Sequence, residues 1–182
     1  MYRNYGFRIL IVRCLAKGGQ IMKNESQSGG QKAFEKGLWC LNKKMHAAAI
    51  KKFTEAIKFD PDNAEFYYYR SLCGGSKTIK IDINKAVELN PNSGKFYFIR
   101  AGTWGYKSNP DKAISDYTKA IELDPDNVNA YCARAIVYQF FKNEPRKALE
   151  DYQKAQLLGY RQNPEWIKML KEETEAKEKR NR

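Results

Sequence analysis

The chain has 182 residues, 42% of them hydrophobic, and a formal net charge of +12 at pH 7. This share of apolar residues is enough to bury a core, so the composition excludes a wholly disordered chain. The four cysteines contain no CxxC pair and the single histidine is His46, which excludes a disulfide framework or clustered metal ligands and favours reduced thiols, a cytoplasmic location and no cofactor.

Residues 1–29 are expected to be an N-terminal extension and linker without fixed structure. The first 23 residues contain no acidic side chain, and their apolar run, ILIV at 9–12, lies between two arginines. A membrane span needs about 20 apolar residues, so none is predicted. Three interpretations of residues 1–21 stay open: a targeting segment, an upstream extension, or a built-in ligand for the chain's own binding groove.

From Gln31 onward, apolar residues recur with helical spacing and a phrase repeats along the chain. Its copies are AIKKFTEAIKFDP (49–61), AISDYTKAIELDP (113–125) and ALEDYQKAQLLGY (148–160), with a damaged copy, INKAVELNP, at 83–91. The prolines that close the copies stand beside Asp or Asn residues suited to starting the next helix. The pattern predicts four helix pairs, at about 30–63, 64–93, 94–127 and 128–161.

Two parts of this pattern depart from a regular repeat. The second unit is four residues short between Gly74 and Ile79, which predicts a shortened helix, since four residues are about one helical turn. Residues 162–182 are predicted to form a capping helix and charged tail. The stripe expected to dock in this helix consists of Trp166, Ile167, Met169 and Leu170.

Small and aromatic residues recur at fixed offsets in the second helix of three pairs. The matched trios are Ala49, Phe53 and Ala56; Ala113, Tyr117 and Ala120; and Ala148, Tyr152 and Ala155. Small residues let two helix backbones approach, and an aromatic ring fills the remaining space. This unit resembles the tetratricopeptide repeat (TPR) over about residues 30–161. The resemblance implies an all-α fold, a right-handed α-solenoid of about four TPR helix pairs plus the C-terminal capping helix.

The resemblance also implies a protein-interaction scaffold in which the first helix of each pair lines a concave groove. Residues on that face are spaced three or four apart. The expected partner contacts are Phe34, Leu38, Tyr68, Leu72, Lys95, Phe98, Asn129, Cys132 and Ile136. Because the aromatic members are expected to face away from the core, the groove should take an apolar or amphipathic peptide or helix of another protein.

One subset of TPR proteins holds the C-terminal carboxylate of chaperones with Lys, Asn and Arg on these faces. Here Phe34 and Leu38 occupy the matching positions of the first pair, and Tyr69 and Ile99 replace polar groups further on. A chaperone-tail receptor is therefore not expected. Coverage of the groove by another segment of this chain, or by a second copy through self-association, stays open.

Other classes of function find less support in the residues. Catalysis needs reactive groups held together in a pocket, and the sequence shows no triad, phosphate loop or metal-spaced ligands, so we predict that the chain is not an enzyme. The basic surplus leaves one alternative, a basic solenoid that binds RNA or an acidic partner surface. We interpret the surplus as solvated lysines scattered along the repeats, which makes nucleic-acid binding unexpected.

Arginine and aspartate also recur at fixed places in the repeats. The arginines are Arg70, Arg100 and Arg134, and the aspartates are Asp82, Asp116 and Asp151. They could serve as anion receptors, but we interpret them as ion pairs, each within its own repeat.

Overall fold

The computed structural model describes residues 29–161 and 164–180. These ranges contain nine helices and no strand. They are α1 (Gly29–Asn42), α2 (His46–Phe59), α3 (Ala64–Ser71), α4 (Ser76–Leu89), α5 (Gly94–Thr103), α6 (Pro110–Leu123), α7 (Val128–Phe140), α8 (Pro145–Leu157) and α9 (Pro164–Arg180). The predictions made for residues 1–28 lie outside the described residues.

The helices pack in chain order. The most extensive contacts join α1 to α2, α3 to α4, α5 to α6 and α7 to α8, and each pair then packs on the next through its second helix. Such a stack, in which each element meets only its neighbours, is an α-solenoid. The predicted all-α solenoid of four helix pairs with a C-terminal helix is confirmed.

The recurring small and aromatic residues form the core of each pair. Ala49, Phe53 and Ala56 are all fully buried. A side chain on Gly37 would place its Cβ 2.5 Å from a ring carbon of Phe53. The absent Cβ therefore lets α1 approach the Phe53 ring, which is the packing that the sequence pattern predicted.

Helix starts follow the predicted turn chemistry. The side chain of Asn63 accepts a hydrogen bond of 3.2 Å from the backbone N–H of Glu65 at the start of α3. The side chain of Asn127 accepts one of 3.1 Å from the backbone N–H of Ala130 in α7. Pro110 and Pro145 stand in the first turns of α6 and α8, where a missing N–H costs nothing.

The recurring arginines and aspartates pair within each repeat. Arg70 donates to both carboxylate oxygens of Asp82, at 2.7 and 2.8 Å. The same bidentate pair joins Arg100 to Asp116 and Arg134 to Asp151. All three aspartates are buried, so these arginines are committed to holding the first helix of a pair against the second.

The structure shows both departures from the regular repeat, the shortened helix and the C-terminal helix. In the second pair, α3 has only eight residues and is followed by the turn 72–75, whereas α7 has thirteen. At the other end, α9 packs on α8, and the ring of Trp166 meets Tyr152 edge-on at 4.4 Å between centroids.

The predicted docking stripe of α9 needs one correction. Ile167 and Leu170 are buried as predicted, but Met169 is 65% exposed. Helical geometry explains this, because two residues of separation turn Met169 about 200° away from Ile167, to the far side of the helix.

Candidate protein-binding groove

The candidate groove consists of the faces of α1, α3, α5 and α7 that carry the predicted contacts. These four helices are the first helices of their pairs, and they follow one another along the stack. We divide the groove into an N-terminal half on α1 and α3 and a C-terminal half on α5 and α7.

In the N-terminal half, the aromatic residues pack on one another. The ring of Phe34 lies 4.9 Å from Phe66 and 5.2 Å from Tyr69, between centroids. Phe34 also belongs to the clusters around Phe53 and Ala56 and is half-buried, as are Leu38 and Leu72. The apolar side chains of this half therefore pack on one another and on the core of the stack.

The expectation that Tyr68 faces away from the core is wrong. Its side chain is only 6% exposed, and its ring lies 5.2 Å from that of Phe96. The ammonium of Lys95 sits 4.9 Å from the Tyr68 ring centroid and pairs with Glu65 at 2.7 Å. Residues of the next repeat thus cover Tyr68, and its contact with a partner stays a prediction.

Three further predicted contacts also have neighbours within the stack. Phe98 is half-buried, with its ring 5.7 Å from that of Tyr117. Cys132 is buried, and this desolvation raises the pKa of its thiol to about 12, which keeps the thiol protonated and inert at neutral pH. Asn129 is half-buried in the first turn of α7.

The C-terminal half is more open. Ile136 is 36% exposed and Phe140, one turn further along α7, is 64% exposed. On α5 and the loop after it, the matching groove positions are the exposed Gly102 and Gly105, which bring no side chains. The exposed apolar groups of this half are therefore those of α7.

Phe140 is the groove residue that the sequence analysis missed. It follows Ile136 by four residues, so it lies on the same face of α7, but the predicted set stopped short of it. The neighbouring Phe141 is also exposed and its ring meets Tyr106 edge-on at 5.7 Å. The Tyr106 hydroxyl is hydrogen-bonded to that of the buried Tyr117, which fixes the ring beneath this apolar patch.

The basic charge is concentrated, contrary to the expectation of an even scatter. Residues 29–59, which form α1 and α2, contain seven lysines and two glutamates. Counting residue types per helix pair would have revealed this. The first pair is therefore the basic end of the stack.

Two other classes of site find no counterpart in the described residues. Within residues 29–161 and 164–180, no three His, Cys, Asp or Glu side chains converge as a metal ion would require. In the same ranges, no helix combines the length and hydrophobicity needed to cross a membrane.

Comparison with known proteins supports the architecture independently. Residues 107–139 match the family model described as TPR repeat. A stretch of 45 residues is 47% identical to Tetratricopeptide repeat protein 36 of Caenorhabditis elegans, covering 25% of each protein. The match thus spans a quarter of that relative's length.

Solved structures resemble the whole stack. MamA superposes with a TM-score of 0.66 and 18% identity over 87% of this chain and 96% of that chain. YrrB, described as a TPR protein with an unusual peptide-binding site, superposes with a TM-score of 0.62 and 23% identity over 72% of this chain and 69% of that chain.

Fold and groove together define a helical-repeat protein of the α-solenoid class. This class agrees with the repeat length, with the recurring buried Ala and aromatic side chains, and with the family match. One of its repeats, at residues 107–139, matches the tetratricopeptide-repeat family model, and the chain shares the fold of the solved structures named above.

Proposed function

We propose that this chain is a protein-interaction scaffold whose groove binds an apolar or amphipathic segment of another protein, anchored mainly in the C-terminal half. The observation that carries this proposal is the pair Ile136 and Phe140, which are exposed one turn apart on the same face of α7. Exposed apolar surface of this kind usually marks an interaction site.

The groove's chemistry supports an apolar ligand. The N-terminal half presents Phe34, Leu38 and Leu72. The one ammonium among the predicted contacts, that of Lys95 on α5, is paired with Glu65. A clamp for a free carboxylate would need unpaired cationic groups there. The peptide-binding site named in the description of YrrB supports a peptide ligand here, while the residues of this groove favour an apolar one.

We also propose a role in binding without catalysis, and a cytoplasmic location. The cysteines Cys40, Cys73 and Cys132 are free and buried, and we infer from reduced thiols that the protein works in the cytoplasm.

The proposal is tested with peptides selected against the full chain. A phage-displayed library of amphipathic and extended sequences is enriched on the protein, and the affinities of the selected peptides are measured by fluorescence anisotropy. Phe140→Glu should weaken binding by about thirtyfold or more, because a buried aromatic anchor typically contributes about 2 kcal/mol. Ile136→Glu should weaken it similarly.

Ile81→Glu is the matched control, since Ile81 is an exposed apolar residue on α4, a second helix. It should leave affinity unchanged. If folded Phe140→Glu protein binds the peptides as tightly as the parent, the C-terminal half is not the anchor.

A further inference from the structure

One face of each first helix normally packs on the preceding repeat. In α3 this face consists of Phe66, buried against Ala33 and Ala56; Arg70, which donates to the Thr54 hydroxyl at 3.1 Å; and Cys73, buried beside Cys40 and Phe53. In α7, Arg134 likewise donates to the Thr118 hydroxyl at 2.8 Å. The face is thus a stripe with spacing i, i+4, i+7.

The same stripe on α1 is exposed to solvent. Its members are Lys32, Lys36 and Trp39, continued one turn later by Lys43. Trp39 is 58% exposed, although its counterparts Cys73 and Val137 are buried. We name these four residues the α1 end face, and no described helix packs against it.

Charge around the α1 end face is poorly compensated. Where later repeats pair an arginine with a buried aspartate, the first repeat has lysine at both places, Lys36 and Lys52. Lys52 pairs with Glu55 instead. Lys52 lowers the pKa of the Glu55 carboxyl the most, and Lys36 and Lys51 lower it further. Three ammonium groups therefore surround one carboxylate, so this end of the stack attracts an acidic surface.

At the opposite end of the stack, the outward side of the last helix carries two exposed glutamates and the exposed Lys168 around an apolar residue. There α9 buries Ile167 and Leu170, and its outward side carries the exposed Met169. Glu165 lies one turn before Met169 and Glu172 one turn after it, and both are exposed. We name Glu165, Met169 and Glu172 the α9 end face.

We propose that the α1 end face of one copy binds the α9 end face of another, so that the chains associate head to tail. Trp39 and Met169 supply apolar centres of matching position, and a thioether is a favourable neighbour for an aromatic ring. The lysines of one face meet the glutamates of the other. Since the two surfaces differ, the contact is heterologous and continues into rings or longer stacks.

Charge also argues against the chain's own N-terminal segment as the occupant. Residues 1–28 contain five basic side chains and one acidic one, so they carry the same sign as the α1 end face. The interface proposed here uses neither half of the groove, and it stands or falls independently of the peptide-binding function.

A charge exchange between the two faces tests the proposal on the full chain. One variant carries Lys32→Glu with Lys36→Glu, and the other Glu165→Lys with Glu172→Lys. Sedimentation velocity at about 50 mM salt, where surface charges are weakly screened, measures association of the parent and of each variant. The parent should associate with rising concentration, and each variant alone should associate at least about tenfold more weakly, since like charges then face each other.

Mixing the two variants in equal amounts should restore association, because reversed faces become complementary. Lys85→Glu with Lys119→Glu, the same charge change on α4 and α6 in the middle of the stack, is the control and should associate like the parent. Lys168→Glu, which removes a cation beside Met169, should tighten association. Trp39→Ser tests the apolar centre and should weaken association. It also serves as the test of the α1 end face should a charge variant fail to fold.

Three results would overturn the proposal. A parent that stays monomeric up to about 100 µM has no useful affinity for itself. Variants that associate like the parent would show that neither face is the interface. Variants that lose association but do not recover it when mixed would indicate that each face meets something other than its proposed counterpart.

Discussion

The two halves of the groove use aromatic residues in opposite ways. On α1 and α3, the rings of Phe34 and Tyr68 lie within 5.2 Å of neighbouring rings and belong to the packing of the stack. On α7, the ring of Phe140 is exposed. An aromatic residue on the groove face is therefore available to a partner only where the adjacent repeat leaves it uncovered.

The largest expected effect separates the two halves directly. Tyr68→Ala should lower the free energy of unfolding by about 3 kcal/mol, as for other buried aromatic truncations. Phe140→Ala should change it by less than about 0.5 kcal/mol, because an exposed side chain leaves no cavity. Urea unfolding followed by circular dichroism measures both. Equal losses of stability would mean that the two rings are not packed differently.

A second comparison sets the first repeat against the second. Asp82→Ala should lower the free energy of unfolding by about 2 kcal/mol, because it leaves the Arg70 guanidinium without its bidentate partner in a partly buried site. Lys52→Ala, at the same repeat position, should cost less than about 0.5 kcal/mol, since its pair with Glu55 is exposed to water. The same urea titration checks this pair, and similar costs would contradict the distinction.

Local stability should also differ between the halves. The eight-residue α3 and the turn after it, with Gly74 and Gly75, make the second repeat the weakest part of the stack, and glycine costs about 1 kcal/mol in a helix interior. In a hydrogen-exchange experiment, the backbone amides of residues 72–80 should exchange faster than those of α5. Equal protection of the two segments would contradict this prediction.

The smallest expected effect concerns two buried thiols, one in each half. Burial raises the pKa of Cys73 to about 11 and that of Cys132 to about 12. Both thiols should therefore stay protonated at pH 8 and react slowly with iodoacetamide in the folded protein, but readily after unfolding. Peptide mass spectrometry reads out each site. Fast alkylation of one thiol alone would locate a half that opens in the native state.

The helix pairs could be predicted because their signals are local. Proline next to Asn or Asp ends one helix and starts another, and the Ala49, Phe53, Ala56 pattern repeats with little change. The pairing of Arg70 with Asp82 followed in the same way from recurring positions. Each of these inferences needs only the residues of one or two repeats.

The groove could not be predicted as well, because burial there depends on the next repeat. Tyr68 is covered by Phe96 and Lys95, whose positions relative to α3 follow from how the second and third pairs stack. The shortened α3 changes that stacking in a way that spacing rules do not capture. Phe140, by contrast, could have been found by continuing the helical spacing one step, four residues past Ile136.

The serial contacts of the helices have a mechanical consequence. Because each helix meets mainly its neighbours in the chain, tension applied at the two ends passes through every interface in turn, and no second layer shares the force. With eight residues, α3 is the shortest helix in this series. Stretched by its ends, the molecule should yield there first and then unravel one pair at a time, so its extension would rise in steps.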